Sequence, residues 1–154
     1  MTISIRDAMP ADASIIADYN NRLAKETEAR SLNHDLIGPG VAAFLADPSK
    51  GRYWLAVVDD RIIGQIAVTH EWSDWRNGMM WWIQSVYIHS DYRRQGVYTS
   101  LNRHVESQAK SDSEVIGIRL YVKKDNERAQ TTYAGLGMKM INYRIMQSIF
   151  DQEK

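Results

Sequence analysis

The chain has 154 residues, the size of one domain, and it is 44% hydrophobic and 25% charged, the balance of an ordinary soluble globular protein. Lys plus Arg and Asp plus Glu both total 19, so the formal net charge is zero, which argues against general nucleic-acid binding because that draws on a basic surplus. The absence of cysteine excludes a disulfide scaffold, thiolate metal sites and a cysteine nucleophile.

In chain order, Thr2–Arg6 alternates as a short strand. Pro10 opens a helix in which Ile15, Ile16, Tyr19 and Leu23 recur at helical spacing, ending near Arg30. Val41–Ala46 reads as a second short helix, closed by Asp47-Pro48 and separated from the first by Gly38-Pro39-Gly40. Tyr53–Val58 and Ile62–His70 form an antiparallel pair about an Asp59-Asp60 turn, and Glu71–Gly78 reads as a loop. Met79–Ile88 is a nearly continuous apolar strand, as expected where both faces are covered. Thr99–Lys110 is a helix with Leu101 and Val105 inward, and Val115–Val122 is a strand. A helix follows from about Glu127 to Leu136, with cap residues before it and Gly137 as its stop. Met140–Phe150 reads as a last strand.

Strands and helices interleave without repeat or linker, so one α/β domain over residues 1–154 is expected, with helices on both faces of a mixed sheet. The opening MTISIRDAMPADAS lacks the apolar core of a signal peptide, and no apolar run approaches the roughly 20 residues that span a bilayer. The expectation is a cytoplasmic protein with no membrane partner. Five Trp and eight Tyr against two Phe suit either a partly polar cavity or a core that uses Trp. His34, His70, His89 and His104 are scattered without metal-ligand spacing, so no metal is expected.

The stretch WIQSVYIHSDYRRQGVYTSL, from Trp82 to Leu101, carries the most chemistry. An apolar strand passes through a polar turn into a helix. Backbone N–H groups at such a junction make an anion site, helped by the positive end of the helix dipole. Arg93 and Arg94 add side-chain charge suited to phosphate.

The strand ending Val86-Tyr87-Ile88, the Arg-Arg-x-Gly turn into a helix, and Asn126 followed by Tyr133 and Leu-Gly-Met occur in order. Together they resemble the GNAT superfamily of acyl-CoA-dependent N-acetyltransferases over nearly the whole chain. The resemblance implies a mostly antiparallel central sheet and acetyl-CoA as cofactor. It implies that the backbone of Val86, Tyr87 and Ile88 pairs with the pantetheine arm. Arg93, Arg94, Gln95, Gly96, Val97, Tyr98 and Thr99 would then surround the pyrophosphate, and Asn126 would bond the cofactor near its thiol end. Tyr98 departs from the family pattern, which has a small residue there.

The resemblance also implies Tyr133 as general acid. A phenol, with a reference pKa near ~10, is protonated at neutral pH and suits a departing thiolate. Polyamine-type relatives carry a glutamate base where this chain has Gln84, which cannot usefully accept a proton. The base is then a water held by Gln84, or a carboxylate among Glu28, Glu71 and Asp74. Glu71 stands out because it follows a strand and precedes a Trp-rich loop. The acceptor side is expected from Ala24–Asn33 and Glu71–Gly78. There Glu26, Glu28 and Asp74 would attract a cationic amine, and Trp72, Trp75 and Trp82 would face it through cation–π contact. The leading expectation is acetyl transfer to a primary amine on a small molecule. A peptide acceptor, or a non-catalytic acyl-CoA-binding sensor, is the alternative. The edge near Ile145–Phe150 leaves a homodimer open.

Overall fold

A computed structural model describes residues 1–151 and 154. The chain divides into two compact units, Met1–Leu120 and Tyr121–Lys154.

The first unit holds a five-stranded sheet in the order β1-β2-β3-β4-β5: β1 Ser4–Asp7, β2 Arg52–Val58, β3 Arg61–Ser73, β4 Gly78–Ile88 and β5 Val115–Leu120. The first three pairings are antiparallel, and β4 with β5 is parallel. Helices α1 (Ala13–Glu28) and α2 (His34–Ala46) cover one face, and α3 (Val97–Ser111) covers the other.

The alternation of β2 dictates this layering. Trp54, Ala56 and Val58 join Val97, Leu101, Val105 and Ala109 of α3 in one core, while Tyr53 and Leu55 pack with Ile16 of α1 and Val41 of α2 in the other. The α3 residues recur every four positions, which aligns them along one side of the helix. Burying a side chain such as Leu101 stabilises by about 1.5–3 kcal/mol. Gly64 is required by close approach: a Cβ there would lie 2.9 Å from Ile88 Cδ1 and 3.2 Å from Val97 Cγ1.

Three segments differ from the expectation. α2 starts at His34 and runs through Gly38-Pro39-Gly40. Asn33 Oδ1 accepts the Asp35 N–H at 2.9 Å and so caps the helix early. Pro39 forfeits one backbone bond, but its fixed φ suits a helix. The predicted loop Glu71–Gly78 is mostly hairpin, because Glu71–Met80, Trp72–Met79 and Ser73–Gly78 pair across the strands. Only Asp74–Asn77 turn, with Asn77 at φ 49°.

In the second unit, α4 (Glu127–Gly135) is capped by Asn126, whose Oδ1 accepts the Ala129 N–H at 3.1 Å. Gly137, at φ 90°, ends it with bonds from Gly137 N–H to Ala134 O and from Met138 N–H to Tyr133 O. The predicted strand Met140–Phe150 is not formed: residues 140–149 carry no strand, and Met146 and Phe150 are almost fully exposed. Alternation supplies only the side-chain pattern, and a strand needs ladder hydrogen bonds as well.

Asp12 ties the start of α1 to β1. Its carboxylate takes two bonds from Arg6, at 2.8 and 3.0 Å, and one from the Met9 N–H at 2.7 Å. The Arg6 hydrogen bonds hold its pKa below the ordinary value against the opposing effect of burial. A lowered carboxyl pKa contributes stability that is complete above the unfolded value, near ~3.9, and is lost as pH falls through the folded one. Asp12→Asn should therefore be less stable than the parent at neutral pH, with the gap closing below about pH 4. Urea titrations across pH test this, and a gap that persists in acid would remove the assignment.

Candidate functional site

The site begins with a defect in β4. Gln65 opposes Tyr87 and Ala67 opposes Gln84, so β4 carries one more residue than β3 between these pairs. The surplus is a bulge at Ser85-Val86, with Ser85 at φ 52°. On its other side β4 pairs with β5 only from Met79 to Ile83. From Gln84 to Ile88 no strand adjoins that edge among the described residues. An extended ligand could complete it as an added strand.

Beyond Ile88 the chain makes a 3₁₀ turn at Ser90–Tyr92 and enters α3 at Val97. Arg94 (φ 61°) and Gly96 (φ 83°) both lie in the left-handed region. Turns of this kind gather backbone N–H groups into an anion-binding concavity. The first helical bond runs from Ser100 N–H to Gly96 O at 3.0 Å. The N–H groups of Gln95, Val97 and Thr99 reach no acceptor among the described residues. With the positive end of the helix dipole behind them, they point outward as groups of the kind that could receive an anion.

Helix α1 braces this strand. Tyr19 donates to Ile62 O at 2.6 Å, and its ring lies 4.9 Å from that of Tyr87. Arg93 donates to Ile88 O at 2.9 Å and to Glu26 at 2.7 Å, with its guanidinium 5.4 Å over Tyr87. Beneath the bulge lies a buried polar group: Gln65 Nε2 donates to Ser85 O (3.0 Å) and Asn20 Oδ1 (2.9 Å), and Asn20 Nδ2 to Tyr53 OH (3.1 Å). Burial pushes the Tyr53 phenol up, and hydrogen bonds to Ser85 and Asn20 partly offset this.

The model of the Acetyltransferase (GNAT) family matches residues 14–138. The chain belongs to the GNAT acetyltransferase family. The crystal structure of a possible acetyltransferase from Clostridium difficile 630 is 41% identical, with TM-score 0.92, covering 99% of this chain and 100% of that one. Two further structures share the fold. A predicted acetyltransferase with acetyl-CoA from Clostridium acetobutylicum has 19% identity and TM-score 0.78, covering 96% of each chain. A ribosomal-protein-alanine N-acetyltransferase from Brucella melitensis biovar Abortus 2308 has 16% identity and TM-score 0.76, covering 97% of this chain and 100% of that one. Among proteins of curated function, none matches this chain.

The residues expected from the GNAT resemblance fall into groups. Val86, Tyr87 and Ile88 stand at the open edge, Arg94, Gln95 and Gly96 form the turn, and Thr99 lies in the first turn of α3. The Val97 side chain is in the core, so that residue offers only its backbone outward. Tyr98 is half-buried in the first turn of α3. Arg93 is turned toward Glu26 and Tyr87, so its charge and that of Glu26 are mutually engaged. Glu28 is exposed, 3.8 Å from Arg30.

Register places Gln84, Trp82 and Glu71 on the α1–α2 face of the sheet. Gln84 Nε2 lies 3.4 Å from Thr69 Oγ1. Trp82 lies under Arg119, 5.8 Å from the ring centre. Glu71 is exposed and paired with Arg119 at 2.8 Å. It pairs with Met80, four residues before Gln84 and so about 13 Å along the strand. Trp72, Asp74 and Trp75 occupy the hairpin end, and Trp75 is 91% exposed. Even the start of β4 at Gly78 is about 23 Å from Ser85, so the structure does not bring these three to the bulge. Asn126 and Tyr133 are on the second unit, as cap and half-buried residue of α4.

Sequence reasoning missed Asn20, Tyr53, Gln65 and Arg119. Gln65 had a readable signal, since it is a lone amide at an inward position of the apolar run Ile62–Val68.

Gly96 has nothing within 4 Å of an added Cβ, so only its backbone conformation demands glycine. Gly96→Ala should lower stability by about 1–2 kcal/mol with no steric contribution. Urea denaturation measures this, and an unchanged midpoint would mean that the turn tolerates a side chain in the left-handed region.

Proposed function

We propose that the protein transfers an acetyl group from acetyl-CoA to a primary amine of a small molecule, by direct attack in a ternary complex. The observation that carries this reading is the open edge of β4 beyond the bulge, running straight into the Arg94–Thr99 turn. The residues fit the coenzyme in two respects. An extended pantetheine arm finds backbone groups at Val86 and Ile88, and a pyrophosphate finds the N–H groups of Gln95, Val97 and Thr99. Arg94, exposed at the turn, adds positive charge.

The bound coenzyme supplies the acyl thioester. The N–H groups near the bulge would stabilise charge developing on its oxygen. In this reading the amine loses a proton to a water beside Gln84, which lies on the bulged strand and is half-buried. Glu71 is a weaker base, because Arg119 engages it and because of its distance along the strand. Tyr133 protonates the thiolate, and Asn126 bonds the coenzyme near its sulfur. Trp82 is the aromatic residue retained on the acceptor side, whereas Trp72 and Trp75 belong to the distant hairpin end.

Titration calorimetry with acetyl-CoA beside ATP, followed by thiol release over a panel of amines, tests the proposal. Selective acetyl-CoA binding with turnover of small amines is the expected result. Binding without turnover would favour a sensor, and turnover of peptides alone would move the acceptor class.

Tyr133→Phe should lower kcat by about 10²-fold with the KM for acetyl-CoA little changed. An unchanged kcat would end the general-acid role. Arg94→Ala should weaken acetyl-CoA binding by about tenfold, the scale of one charge-assisted hydrogen bond. Equal affinity would show that the backbone cradle alone holds the phosphates.

A further inference from the structure

We infer that Gln65 is a positioning residue which, with Asn20 and Tyr53, fixes the bulge at Ser85 and so aims the backbone N–H of Val86 at the reacting acyl group. This rests on the coenzyme reading above.

Gln65 is 0% exposed and sits on a strand whose other inward residues are apolar. An amide there costs stability unless it is hydrogen-bonded, so a leucine would serve packing as well. The amide is oriented unambiguously. Ser85 O can only accept, so Nε2 must face it, and the same nitrogen donates to Asn20 Oδ1. Asn20 must then turn its own NH₂ toward Tyr53, at 3.1 Å. The chain Tyr53–Asn20–Gln65–Ser85 thus links four elements, β2, α1, β3 and β4, and meets Ser85 at its carbonyl.

Ser85 holds a φ of 52° without being glycine. Left alone, it would relax toward an ordinary strand conformation and draw the bulge back into register. The Ser85 carbonyl and the Val86 N–H belong to one planar trans peptide and point in opposite directions. Holding the carbonyl toward β3 therefore turns the N–H away from β3, toward the edge that β5 leaves uncovered. A donor fixed before the reaction is what a developing oxyanion requires. Gln65 touches neither coenzyme nor amine in this account, and it acts through Ser85.

Three variants of the full-length protein test the inference. Gln65→Met keeps the side-chain volume and removes the donor, Gln65→Glu keeps the shape and sets an acceptor against Ser85 O, and Tyr53→Phe removes the acceptor for Asn20 at the far end of the chain. Steady-state kinetics with acetyl-CoA and the best amine should show kcat reduced about tenfold or more in both Gln65 variants. Tyr53→Phe should lose about threefold, with KM values changed less than kcat in all three. A structural role alone would lower the melting temperature and leave kcat per folded molecule unchanged, and that result overturns the inference.

Amide hydrogen exchange of the coenzyme-free protein gives an independent reading. Exchange of the β3–β4 ladder amides that flank the bulge, at the Gln65–Tyr87 and Ala67–Gln84 pairs, should accelerate about tenfold in the variants while the α3 amides stay as in the parent. Unchanged rates at these pairs, or an even acceleration throughout, overturn the inference. If the parent binds acetyl-CoA but transfers nothing, the catalytic reading fails while exchange still tests the clamp. Should Gln65→Met not fold, Tyr53→Phe carries both measurements.

Discussion

The site depends on a strand that must do two incompatible things. β4 has to pair with β3 to hold the sheet together, yet between Gln84 and Ile88 its other edge stays unpaired. A regular strand there would run on beside β5, with no gap for a ligand. The bulge at Ser85-Val86 resolves the conflict by adding one residue, which bends the strand and raises its twist. The left-handed Ser85 costs about 1–2 kcal/mol. The hydrogen bond from Gln65 to the Ser85 carbonyl offsets part of that, at about 0.5–1.5 kcal/mol.

Helix α1 spreads the support along the strand. Asn20 reaches the bulge through Gln65, Tyr19 packs on Tyr87, and Glu26 draws Arg93 back onto the Ile88 carbonyl. These α1 residues recur within two turns, so one side of a single helix oversees the strand from bulge to turn. The exposed Glu26–Arg93 pair contributes little energy by itself. Its effect is geometric, since it directs one arginine inward and leaves Arg94 at the mouth of the turn. Zero net charge is thus compatible with a strongly polarised local site, because backbone dipoles supply much of the field.

Much of this was legible in the residues. The four-residue spacing of Leu101 and Val105 announced α3, which the structure extends to Val97 and Ala109, and the nearly continuous apolar run from Met79 marked β4 as covered on both faces. Gly137 stopped α4 as its position demanded. The Arg-Arg-Gln-Gly turn was readable as a polar stretch between an apolar strand and a helix, and the structure adds that Gly96 takes the left-handed conformation that favours glycine. Other features were hidden. The hairpin of Glu71–Gly78 lacked alternation, and only cross-strand pairing with Met79 and Met80 shows that it is strand. α2 crosses Gly38-Pro39-Gly40 because a cap at Asn33 outweighs three poor helix formers. Met140–Phe150 carries the alternation of a strand without the ladder that would make it one.

The sequence alone carried the family in its ordered motifs, from Val86-Tyr87-Ile88 through Arg93–Gly96 to Asn126 and Tyr133, and most of the elements in periodicity, caps and the stop at Gly137, because all of these are local patterns. The tertiary structure decided which side chains share a neighbourhood. It set Trp72 and Trp75 at the far end of a hairpin, engaged Glu71 with Arg119 and Glu26 with Arg93, and joined Tyr53, Asn20, Gln65 and Ser85 in one hydrogen-bonded chain. Those four residues lie 65 positions apart at the extremes. Only strand register and the docking of α1 bring them together, and register is a property of pairing that no single segment carries.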